Sequence, residues 1–188
     1  DPGSEVYTAR TFSARRYDSK VLSSYGHTVP VVAGRLQRTG AEARATILRT
    51  EFSDNEDLLA FELRSAYAVP ELKSLQRTFR FRRDPPTSLV VRDDVQFAEP
   101  STFEEALITW GHWKQLSENE LSISDDGGSV LVKIDTGDQP YELSSETIQE
   151  DVGTSKKPVR LAIRLKAPVE KTSMTLTIRP ATASSANR

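Results

Sequence analysis

Cysteine is missing from all 188 residues, so neither a disulfide nor a thiolate metal site can operate. That absence assigns no compartment, because exported bacterial proteins can also lack cysteine. Histidine is almost as scarce, at two residues, which leaves too few ligands for a self-contained transition-metal site. Neither sign of charge dominates: 25 lysines and arginines against 27 acidic residues give a net charge of −2. A strongly basic nucleic-acid binder is therefore excluded, as is a general attraction to membrane surfaces. No apolar run approaches the roughly 20 residues of a membrane span, and no signal-peptide pattern opens the chain. The Gly-rich phosphate loop, the His-Glu-x-x-His zinc motif and the nucleophile elbow are all missing. Methionine does not begin the chain, which opens Asp1-Pro2-Gly3 and so reads as a processed chain or a piece of a longer protein.

What the chain does have is alternation. Its length suffices to bury roughly 70% of the unfolded surface in one unit. Glu5 to Ser13, rich in threonine and aromatics, reads as a first strand. Ala43 to Phe52 reads as another, and Leu59, Phe61 and Leu63 alternate with Glu62 and Arg64 as in a half-buried strand. Glu71 to Leu75 suits a single helical turn, and Gln76 to Arg82 a strand with Phe79 and Phe81 opposite Arg80 and Arg82. Leu89, Val91, Val95 and Phe97 share a face that Asp93 interrupts, so that carboxylate needs a partner or a bulge. Phe103 to Trp110 is a further short strand. Asp125-Asp126-Gly127-Gly128 is a hairpin turn, followed by alternating Val130, Val132 and Ile134. Val159, Leu161, Ile163 and Leu165 alternate, as do Met174, Leu176 and Ile178. Strands recurring at short intervals without a long helix predict an all-β antiparallel sandwich over residues 1–180, with a disordered tail at 181–188.

The stretch Ser23 to Gln37 carries the chemistry. His27 lies between Gly26 and the strand-like run Val29 to Val32, which Gly34 ends. Glycine permits a backbone geometry or close approach that presents an imidazole from a turn while the strand anchors it. The plain alternative is a histidine that satisfies turn hydrogen bonds. Tyr25-Gly-His-Thr-Val-Pro-Val-Val-Ala-Gly-Arg-Leu-Gln37 resembles the segment that opens the β-sandwich of heparinase II/III-type polysaccharide lyases. Tyr7-Thr8-Ala9-Arg10-Thr11-Phe12-Ser13 with Arg16-Tyr17 is similar to the segment upstream of it. The likeness extends through the chain, fading after Phe81.

The resemblance implies the C-terminal sandwich module of a lyase that cleaves uronate-containing polysaccharide by β-elimination. It implies a helical toroid domain of the parent chain as partner, an anionic polysaccharide or oligosaccharide as ligand, and a periplasmic or secreted location. Such sandwiches contribute a histidine and sometimes a tyrosine to the cleft they share with the toroid. His27 and Tyr67 are the corresponding catalytic candidates, with Tyr25, Arg16 and Gln37 as candidate substrate contacts. Tyr67 is equally suited to plugging the end of the sheet. Many of these lyases hold zinc through two histidines and an aspartate. Here Val29 and Leu75 stand near the histidine positions, so no metal and no cofactor is expected. The alternative function is a non-catalytic carbohydrate-binding or structural module that stacks sugars on Trp110 and Trp113, beside His112. Core packing of those tryptophans is the commoner use.

Overall fold

Period-two alternation becomes twelve strands, all paired antiparallel, in a computed structural model that describes residues 2–181. Strands are numbered in chain order. One sheet has the order β1 (Val31–Val32), β6 (Phe103–Thr109), β11 (Val159–Leu165), β10 (Tyr141–Thr147). The other begins with β2 (Thr46–Phe52), β3 (Glu56–Glu62), β4 (Leu72–Arg82) and β5 (Ser88–Ser101). It continues through β12 (Val169–Pro180), β9 (Gly128–Asp135), β8 (Glu120–Asp125) and β7 (His112–Ser117). The two sheets face each other across one core. Leu75, Phe97, Leu121, Met174 and Leu176 enter it from the large sheet, and Phe103, Leu161 and Ile163 from the small one. Among the described residues no helix is long and apolar enough to cross a membrane.

The small sheet is covered on both sides. In β11 the alternating Leu161, Ile163 and Leu165 face the core, yet Arg160 and Ala162 on the opposite face are buried as well. The chain before residue 30 causes this by wrapping the outer face. Its backbone is pinned there by Val6 N–H to Asp151 O at 2.7 Å, and Tyr25 O accepts from Arg160 Nε at 3.0 Å.

Glu5 to Ser13 is therefore not a strand. Its side chains offer the backbone other partners: Thr8 N–H donates to Thr11 Oγ1, and buried Glu5 holds both Thr11 and Arg10. These local bonds fold the segment into turns instead of a ladder. Glu71 to Leu75 is likewise not a helical turn. Leu72 and Leu75, three apart, do share a face, but a β-bulge between Leu72 and Ser74 in β4 turns both into the core. The nearest turn of helix falls earlier, at Arg64–Ala66. Ala43 to Phe52 begins as a strand only at Thr46, and β2 is an edge strand exposed along its whole length. Ala181 donates its N–H to Ser129 O at 2.9 Å, and the rest of the expected tail, 182–188, lies outside the described residues.

Truncating the core should be felt far more than truncating the edge. Leu75→Ala should lower the unfolding free energy by about 2–5 kcal/mol through lost burial and a cavity. Leu48→Ala, on exposed β2, should change it by about 0.5 kcal/mol or less. Urea unfolding read at constant slope checks both, and equal losses would contradict the arrangement of the sheets.

Candidate functional site

The His27 loop is built by close approach. A Cβ added at Gly26 would stand 2.4 Å from Lys20 O and 3.1 Å from Val21 Cα, so only glycine lets the two turns pack. The backbone bends through a short 3-10 turn at Ser24–Gly26 and leaves it extended at His27, with φ −118° and ψ 159°. His27 is half-buried, and its Nε2 lies 3.0 Å from Val21 O. The ring thus both braces the loop and reaches the surface.

A tight reversal returns the chain to this loop. Val32 and Arg35 exchange backbone hydrogen bonds at 3.0 and 2.8 Å, across Ala33 (φ 49°) and Gly34 (φ 69°). Gly34 adopts that left-handed conformation freely, whereas Ala33 is strained in it. The returning chain is pinned twice: Gln37 N–H donates to Ser24 Oγ at 2.9 Å, and Arg38 N–H to Ala66 O at 2.8 Å. Between loop and return lies an open cleft of about 700 Å³. Tyr17, Ser24, His27, Val29, Gln37 and Arg38 line it, with no aspartate or glutamate among the described lining residues.

Beneath the loop sits a buried ion cluster that joins the sheets. Arg77 of β4 grips Asp93 of β5 with Nε–Oδ1 at 2.8 Å and Nη2–Oδ2 at 2.6 Å. Its Nη2 also reaches Glu105 Oε2 of β6 at 2.8 Å, and its Nη1 donates to Thr28 O at 2.8 Å. Thr28 Oγ1 in turn accepts from Ile108 N–H at 3.2 Å. The residue after His27 is therefore held by both sheets. Asp93, flagged in the sequence as a carboxylate on an apolar face, has its partner here. Arg77 carries the matching signal, since it shares a face with Phe79 and Phe81.

Two carboxyls and one guanidinium share this dry site, all at most 4% exposed. Burial first, and then the neighbouring Asp93 charge, push the Glu105 carboxyl well above its usual range. Glu105 Oε1 has no hydrogen-bond partner among the described residues. A protonated Glu105 leaves the cluster neutral, which avoids an uncompensated buried charge.

The other sequence candidates fall on either side of this cluster. Gln37 lies in the cleft with His27. Tyr67 is buried behind it at 4% exposure, and its hydroxyl donates to Pro30 O at 2.7 Å. Burial holds this phenol well above its ordinary value, opposed by its hydrogen bond with Gln37. Tyr25 points the other way, onto the outer face of the small sheet. Its ring stacks 4.4 Å from the Arg160 guanidinium and its hydroxyl bonds Glu146. Arg16 is turned to the Thr11 carbonyl at 3.1 Å, and its neighbour Tyr17 is the residue that reaches the cleft. Val29 lines the cleft and Leu75 is core. Trp113 packs against the core at the far edge strand β7, where His112 is exposed.

A folded-state pKa raised above the unfolded one stabilises fully below the ordinary carboxylate range, and the contribution is lost as pH rises through the folded value. Glu105→Gln imitates the protonated form at every pH. Its stability relative to the parent protein should therefore rise as pH climbs from the ordinary carboxylate range toward the raised folded value. Urea unfolding across that range checks this, and a difference that does not move with pH would mean Glu105 is ionised in the fold.

No protein-family model matches the sequence, and no curated protein does. Solved structures do. Heparan sulfate lyase HepC from Pedobacter heparinus superposes at TM-score 0.74 and 15% identity, over 100% of this chain and 29% of that one. Two heparinase III structures superpose at TM-scores of 0.75 and 0.70, with 15% and 14% identity, over 99% and 96% of this chain and 28% and 27% of theirs. The chain thus spans less than a third of each of these proteins. At these identities the finding is one of fold, and it is specific: this two-sheet sandwich is the fold of a segment of heparinase III and heparan sulfate lyase.

Proposed function

We propose that this domain forms one wall of the cleft of a polysaccharide lyase acting on uronate-containing polysaccharide by β-elimination. One observation carries the reading: His27 lines a cleft free of carboxylates among its described residues, in a chain whose whole length shares the fold of a heparan sulfate lyase. β-Elimination breaks the C5–H and C4–O bonds of the uronate and forms the C4=C5 double bond. It needs a group to neutralise the sugar carboxylate, a base for the C5 proton and an acid for the departing oxygen. His27 serves as proton-transfer group or carboxylate partner, and the described lining, which holds no aspartate or glutamate, does not repel an anionic sugar. Gln37 offers an amide to the sugar. Tyr67, the second catalytic candidate, acts from behind in this reading, since its hydroxyl is spent on Pro30 and Gln37. Tyr25 and Arg16 maintain the loop.

The remaining catalytic groups belong to a helical domain of the same parent chain, docked across the cleft. A polymeric substrate places the enzyme in the periplasm or outside the cell. The rival reading as a stacking sugar-binding module loses support from Trp113, which packs against the core.

The isolated chain should form no unsaturated uronide from heparan sulfate or alginate, because most of the required groups are missing; ultraviolet detection of product would overturn this. In the full-length protein, His27→Ala should lower kcat/KM by roughly 100-fold or more. Its stability should fall by only about 1 kcal/mol, the worth of the bond to Val21 O. Activity lost only in proportion to unfolded protein would make His27 a structural residue.

A further inference from the structure

Arginines on the large sheet are neutralised in place. Arg49 holds Glu51, Arg80 and Arg82 hold Glu56, Arg83 holds Asp57, and Arg92 holds Asp94. Buried Arg77 and Arg160 are equally committed, to Asp93 and Glu105 and to Glu104. Exposed arginines off the sheets, Arg35, Arg38 and Arg44 among them, have no such partner among the described residues, and of these Arg38 stands in the described lining of the His27 cleft. Its backbone is fixed by the bond to Ala66 O, and the preceding Gln37 by the bond to Ser24 Oγ, so the free part is the guanidinium arm alone. A guanidinium in a cleft whose described lining holds no acid has its charge unmatched there. A planar fork of donors fits a carboxylate or sulfate through two parallel hydrogen bonds.

We propose that Arg38 is the anion-binding residue of this domain, pairing with the carboxylate or sulfate of an acidic sugar laid along the His27 cleft. The inference rests on the lyase reading and deepens it by assigning the charge-neutralising contact. The division of labour then follows from the loop: Arg38 takes the acidic group, and His27 is left to the proton. Because the arm is exposed, its energetic role is borne by the ligand rather than by the fold, and its removal leaves folding intact.

The test is calorimetric titration of the full-length protein and its Arg38→Gln, Arg38→Lys and Arg80→Gln variants. The probes are a heparan sulfate tetrasaccharide, an alginate tetrasaccharide, the carboxyl-reduced and desulfated form of the former, and neutral dextran. Losing a charge-assisted bidentate pair predicts roughly 10- to 100-fold weaker binding of at least one acidic probe by Arg38→Gln, with a flatter salt dependence. Arg38→Lys should recover part of it, because the charge returns without the fork. The reduced, desulfated probe should bind parent and Arg38→Gln alike. Arg80→Gln, on the outer sheet face, should match the parent, and melting temperatures should agree throughout. Tight binding of acidic probes that Arg38→Gln leaves unchanged would overturn the role of Arg38 while sparing the lyase reading. Failure of the unsubstituted protein to bind either acidic probe would overturn both.

Discussion

One buried guanidinium joins what would otherwise be three separate parts. Arg77 leaves the large sheet, neutralises Asp93 beside it, reaches across the core to Glu105 on the small sheet and donates to the carbonyl of Thr28. Removing a charged hydrogen-bond partner from so dry a site strands the others, at a cost of about 3–5 kcal/mol. The geometry of the His27 loop is thereby tied to the packing of the sandwich. A cleft residue carried on a surface turn would ordinarily drift with that turn; here the following residue is bonded to both sheets.

The same device appears on the other side of the small sheet. Arg160 donates to Glu104, stacks under Tyr25 and bonds to the Tyr25 carbonyl, while Arg164 takes the second Glu104 oxygen. Glu104 and Glu105, adjacent in sequence, thus point to opposite faces of β6 and anchor opposite ends of one loop. Tyr25 is clamped from the outer face and Thr28 from the inner. Lys20 and Glu146 extend the outer clamp, each favouring the other's charged form through their direct bond. Between the clamps the chain carries Gly26 and His27. The cleft histidine is held by its neighbours, not by enclosure of its own ring, which fits a group that must remain reachable.

How far this site could be read in advance varies residue by residue. His27 and Gly26 stood out because scarcity and a glycine before a strand are local signals, and the close approach to Lys20 O gives the glycine its reason. Asp93 announced a missing partner through parity alone. Arg77 satisfied the same test, and two opposite charges breaking two apolar faces are a recognisable pair. Tyr25 and Arg16 lie outside the described cleft lining, and their direction was not legible, because nearness to a histidine in sequence does not say which way the chain turns a side chain. Arg38 gave no signal at all, since having no carboxylate among its described neighbours is a property of the surroundings.

The sequence by itself determined the all-β architecture, the hairpin at Asp125 to Gly128 and the alternating core of β5, β11 and β12, because side-chain period and turn chemistry are set by neighbours along the chain. Tertiary structure alone decided that Glu5 to Ser13 wraps instead of pairing, that a bulge turns Leu72 and Leu75 inward together, and that Arg77 meets Glu105 28 residues away. It also decided that Arg38 stands in the cleft with no carboxylate partner among the described residues. Those outcomes depend on which strands lie beside one another and in what register, and register is fixed only when both faces of a sheet find their cover.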